Sequence, residues 1–98
     1  MEIKVQTIKF DASDKLQAYA EKRINKLTRF CDNIESADIV LKVVKPETAT
    51  NKEASITLLV PNSKYYASKV ANTFEQAIDE CATALEKQVE KRHKDHQH

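Results

Sequence analysis

Lys15, Tyr19, Lys22, Lys26 and Arg29 recur at spacings of three and four residues. On a helix turning about 100° per residue they fall within one stripe roughly 80° wide. A second stripe beside it holds Leu16, Ala20, Ile24, Leu27 and Cys31, with Arg23 on the border between the two. Asp14 and Glu21 are the only acids in this stretch, and both lie off the basic stripe on its far flank. Surface helices ordinarily mix Glu with Lys at i, i+4, because opposite charges stabilise a helix and like charges destabilise it. An undiluted basic row therefore points to an anion supplied from outside. Tyr19 within the row adds a ring that could stack on a base or ribose. As an amphipathic side chain it could equally sit at the edge of the core.

A second row stands near the carboxyl end. Lys87, Lys91 and Lys94 are spaced i, i+4, i+7, while Glu75, Asp79, Glu86 and Glu90 take the opposite flank. If the two helices lie side by side, the basic flank of the second is expected to meet the basic stripe of the first. The result would be one cationic ridge or cleft. Such a surface suits closely spaced phosphates, because each neutralised phosphate releases counterions. The plainer alternative is two solvated faces, and lysines at a helix end favour the dipole in any case.

Other chemistry finds little support. His93, His96 and His98, at i, i+3, i+5 with no cysteine nearby, make a poor metal site. No metal or cofactor is expected. Cys31 and Cys81 each occupy an apolar helical position far apart in the chain, which suits two reduced, buried thiols better than a disulfide or redox pair. Glycine is absent. No phosphate-cradling G-x-x-x-x-G-K loop, dinucleotide G-x-G-x-x-G or G-x-S-x-G nucleophile elbow can therefore form. With no recognisable nucleophile and base, an enzyme is the least favoured class. The formal net charge is only +1, so any attraction to nucleic acid must come from local arrangement.

The elements that must hold these rows can be read from periodicity. Ile3, Val5 and Thr7 alternate with Glu2, Lys4 and Gln6, a strand with one wet face. Phe10 breaks that parity and is expected to tuck under the following helix. Ser13 is a candidate N-cap, with Asp14 at the positive end of a helix running to about residue 30. Residues 36–45, 53–60 and 64–70 read as three further strands, presenting Ala37, Ile39 and Leu41, then Ala54, Ile56 and Leu58 to one side. Residues 46–52 form a polar loop, and Pro61-Asn62-Ser63 a short turn. Of the adjacent tyrosines, Tyr65 is expected under the helices and Tyr66 on the open face. Thr73 and Gln76 have capping-box spacing before a second helix with Phe74, Ala77, Ile78, Cys81, Leu85 and Val89 buried.

The fold class is thus α+β in the order β-α-β-β-β-α, a four-stranded mixed sheet with two helices packed on one face. The first helix must cross over between parallel strands, and that connection should be right-handed. The 98 residues suffice for one domain, placed at 1–92, with 93–98 as a flexible tail. No apolar run is long enough to span a membrane, and Met1-Glu2-Ile3-Lys4 lacks a signal-peptide layout, so cytosol is expected and a membrane partner is not.

Taken in order, these pieces resemble the short ribosome hibernation-promoting factors, also called ribosome-associated translation inhibitors. The matching residues are Leu16, Arg23, Lys26-Leu27 and Arg29 in helix one, then Val40-Leu41-Lys42, Ala67-Ser68 and Ala77-Ile78-Asp79. Leu85, Lys87-Gln88 and Lys91 complete the set near the end. The resemblance implies a domain similar to double-stranded-RNA-binding folds, lodged in the small ribosomal subunit where messenger and the A- and P-site transfer RNAs would sit. Its effect would be steric, silencing translation in stressed or stationary-phase cells. By position, family contacts to ribosomal RNA fall on Arg23, Lys26, Arg29, Lys87 and Lys91, while Lys15, Lys22 and Lys94 come from the stripes alone.

Where the family commonly has Asp, then Met or Leu, then Tyr-Ala, this chain has Thr73-Phe74-Glu75-Gln76, which keeps the cap and loses the tyrosine. Longer members carry a further domain that pairs two ribosomes. The chain here ends after helix two, so pairing by that route is not expected, and a monomer is expected when the protein is free. Two other readings stand beside this one. One is a generic duplex-RNA binder, and the other a protein-interaction module using the open sheet face through Val40, Val44 and Leu59.

Overall fold

The computed structural model describes residues 1–31, 33–44 and 49–96, with side chains described as far as 91. Its elements are β1 (Glu2–Ile8), α1 (Asp14–Asn25), a 3-10 turn (Lys26–Arg29), β2 (Ser36–Val43), β3 (Lys52–Val60), β4 (Ser63–Ala71) and α2 (Phe74–His96). The four strands form one sheet in the order β1-β2-β3-β4. β1 and β2 run parallel, and the other two pairs are antiparallel. This is the mixed sheet that the sequence predicts.

Register carries the apolar pattern straight across the strands. Val5 pairs with Ile39, Ile39 with Ile56, and Ile56 with Ala67. The neighbouring row is Ile3, Ala37, Leu58 and Tyr65. Both rows face the helices. Ile39, Ile56 and Leu58 there, with Ile24 and Leu27 from α1 and its 3-10 turn and Ile78 and Leu85 from α2, are fully buried. Each contributes about 1.5–3 kcal/mol by leaving water. α2 lies over β3 and β4, and α1 packs against α2 and the β1 side. The reverse face of the sheet is open, with Leu59, Tyr66 and Val70 exposed there.

Both helices start where the sequence places them. Ser13 has extended backbone angles and its Oγ accepts from the Leu16 N–H at 3.1 Å. Thr73 Oγ1 accepts from the Gln76 N–H, also at 3.1 Å. Each cap satisfies an N–H that the first turn leaves unpaired.

Two local expectations, the end of α1 and the seat of Phe10, need correction. α1 does not continue as an α-helix to residue 30 but tightens at Lys26. Thr28 Oγ1 donates to the Asn25 carbonyl at 2.7 Å, and Asn25, Thr28 and Phe30 are all weak helix formers. α2 is helical to His96. Lys91, Arg92 and Lys94 near its end are cations of good helix propensity that suit the negative end of the dipole. Phe10 packs against the core but stacks on Phe74 at the start of α2, with ring centroids 4.5 Å apart. Lys9 redirects it, taking a left-handed φ of 69°.

Candidate nucleic-acid interface

α1 and α2 border a groove of about 590 Å³. One wall carries Lys22, Lys26, Arg29 and Phe30, and the other carries Asp79, Thr83 and Glu86. The 3-10 turn matters to the first wall. At three residues per turn, side chains at i and i+3 eclipse, so Lys26 and Arg29 stack in line instead of fanning apart. Leu27 between them is buried and anchors the turn. Lys15, Lys22, Lys26 and Arg29 are all exposed, and among the described residues none forms an ion pair. A phosphate row could use every one of them.

Arg23 differs. It lies under the same wall with only 16% of its side chain exposed. Nε donates to Asp79 Oδ1 at 3.0 Å and Nη1 to Glu86 Oε1 at 3.1 Å. Nη2 reaches Thr83 Oγ1 at 3.5 Å. These are the two ion pairs found among the described residues, and both tie α1 to α2. Tyr19 joins the same centre by donating its hydroxyl to Asp79 Oδ2 at 2.8 Å. That hydrogen bond, with desolvation, raises the pKa of the phenol. Its ring packs against the core, the amphipathic edge position.

The single cationic cleft expected from the two rows does not form. The acidic flank of α2 is the one that meets α1. Lys87 and Lys91 stand about 80–140° around α2 from Asp79 and Glu86, at 100° per residue. Lys87 borders a second groove, of about 470 Å³, with Glu80, Ala84 and Lys69 of β4. Asp79 and Thr83 border both grooves, so the cations fall into two sets on either side of that ridge. The physical reason is attraction: an acidic row next to a basic row gains where two basic rows would repel. Lys94 and the three histidines have side chains outside the described residues. No group of three or more His, Cys, Asp or Glu able to hold a metal occurs among the described residues.

Comparison with known proteins agrees with the fold. A family model described as Sigma 54 modulation protein / S30EA ribosomal protein matches residues 3–97. The chain belongs to that family. Among solved structures it is similar to the Thermus thermophilus Protein Y N-terminal domain, at 25% identity and a TM-score of 0.80 over 93% of this chain and 98% of that one. A ribosomal subunit interface protein from Coxiella burnetii shares the fold at 21% identity and a TM-score of 0.83, over 94% of this chain and 97% of that one. No curated protein gives a significant match.

Within this S30EA-family domain, reading the sequence missed Asp79, Thr83, Glu86 and Lys69. Asp79 and Glu86 were placed on a flank facing away from α1. The signal for the opposite choice was present: they are seven residues apart, two helical turns, and an Arg with mixed neighbours sits on the border of α1. Lys69 shares strand parity with Ala67 and Ala71 on the helix side, yet the sheet ends at β4 and leaves it exposed. Parity alone does not reveal an edge.

Proposed function

We propose that this protein binds the small ribosomal subunit through its cationic helix surface, occupies the channel for messenger and the A- and P-site transfer RNAs, and so blocks translation in idle or stressed cells. The observation that carries the reading is the exposed row Lys22, Lys26 and Arg29, unpaired among the described residues, in a chain whose family is ribosome-associated. Lys15 extends the row, and Lys87 and Lys91 add a second set across α2. The division into two sets favours a cleft lined with RNA on more than one side. A lone A-form duplex lying on one face would reach only one of them. Each cation would hold a phosphate, and the block would be steric, with no bond made or broken.

Charge reversal at Lys22, Lys26 and Arg29 together tests this. All three are exposed, so the fold should keep a cooperative melt. Co-sedimentation with purified small subunits should be lost. Undiminished binding in that variant would refute the proposed surface. Competition by a plain RNA duplex at equal nucleotide concentration should be weak, and effective competition would favour a general duplex binder.

A further inference from the structure

Arg23 stands in the middle of the cationic wall with its guanidinium turned mainly inward, only 16% of the side chain being exposed. Its guanidinium faces two carboxylates and a hydroxyl, all from α2. Glu86 is itself only 22% exposed, so its charge is poorly screened by water. Those carboxylates border the same groove as Lys22, Lys26 and Arg29. A phosphate settling on the row would thus come close to Asp79 and Glu86. Removing one partner of such a pair leaves the other charge uncompensated.

Resting on the function proposed above, we infer that Arg23 is an internal counter-ion and not an RNA contact. It neutralises Asp79 and Glu86 so that phosphates can approach Lys22, Lys26 and Arg29. Four cations and two carboxylates border the groove, so removing Arg23 lowers the local balance from +2 to +1 and leaves both acids without their ion-pair partner. The effect on RNA passes through the acids. That separates Arg23 from its neighbours, which would touch the ligand themselves.

The test is affinity of the dye-labelled protein for purified small ribosomal subunits at moderate salt, for R23M, D79N/E86Q and R23M/D79N/E86Q. Methionine keeps the packing of the arginine stem without its charge. R23M should bind about tenfold more weakly through the exposed acids. D79N/E86Q should bind at least as tightly as the unaltered protein. The triple variant should return to within about threefold of it, because no uncompensated charge is left.

A triple variant as weak as R23M would overturn the inference, since Arg23 would then be touching phosphate. So would a D79N/E86Q variant as weak as R23M, because the network would be acting through helix packing. Unchanged binding by R23M would overturn it as well. If R23M loses its cooperative melt, the triple variant, which leaves no unpaired partly buried charge, decides: binding within about threefold of the unaltered protein supports the inference and a tenfold loss overturns it. Failure of the unaltered protein to bind subunits would overturn the functional reading itself and this inference with it.

Discussion

Tyr19 and Asp79, sixty positions apart, are joined by a 2.8 Å hydrogen bond from the phenol to Oδ2. The bond links α1 to α2. Tyr19→Phe should therefore lower stability by about 1 kcal/mol, less than is usual for a bond to a charged acceptor because Asp79 is half exposed. In a domain this size that is a fall of about 4–8 °C in Tm. Affinity for small subunits should not change. A Phe variant that keeps its Tm and loses binding would return Tyr19 to the RNA surface.

Lys26 and Arg29 are eclipsed by the 3-10 turn, so neutralising either should be read most clearly in binding. Two effects on stability oppose each other. Removing a like-charge neighbour gains about 0.2–0.5 kcal/mol, while losing a cation at the helix end costs about 0.3–1. The net destabilisation for Lys26→Gln or Arg29→Gln should stay below about 0.8 kcal/mol. Binding should weaken, and the salt dependence should flatten. For about six to eight phosphates the log–log slope of affinity against salt is roughly −4 to −7, and each variant should bring it about one closer to zero. An unchanged slope in both would show that neither meets a phosphate.

Much of this architecture was legible in the residue pattern, and the failures share a cause. Ala54, Ile56 and Leu58 alternate cleanly because one face of β3 is covered and the other open. Ser13 and Thr73 mark helix starts because a hydroxyl there satisfies a specific N–H. Such signals are local. The placement of Asp79 and Glu86 against Arg23 depends on how α2 is rotated over the sheet, which its own periodicity fixes only for the buried stripe. The flanks are then chosen by the neighbouring helix. The cationic row of α1 was thus visible, and the acidic wall facing it was not.

Cys81 gives a pH dependence whose sign can be worked out. The thiol is fully buried and donates to the Ala54 carbonyl at 3.1 Å. Burial pushes its pKa up to about 11. The unfolded chain gives up that proton near the ordinary thiol value, so the native state binds more protons between the two. A raised folded pKa contributes stability that is complete below the unfolded value and is lost as pH rises through the folded one. Comparing the unaltered protein with Cys81→Ala in urea isolates this group from the tyrosines and lysines. The advantage of the unaltered protein at pH 8 should shrink by about 2 kcal/mol by pH 11. A constant difference across that range would show that the thiol is not desolvated as described.

Lys9 and Asn62 take left-handed φ values of 69° and 66°, in a chain with no glycine to supply them. The two positions should respond differently. Asn tolerates this region, and after Pro61 it completes a turn with a positive φ at its second central residue, where Asn or Gly is favoured. Lys has no such compensation and bears about 1–2 kcal/mol of steric cost. The cost is tolerated because the kink turns Phe10 onto the buried Phe74 ring at the start of α2, partly burying Phe10 against the core. Lys9→Gly relieves the strain, and part of the gain is lost to the greater freedom of glycine in the unfolded chain. A net stabilisation of about 0.5–1 kcal/mol should result, read as a higher urea midpoint at unchanged m. Asn62→Gly should be near neutral. A Lys9→Gly variant less stable than the unaltered protein would mean that the lysine side chain, and not the backbone it bends, holds Phe10 in place.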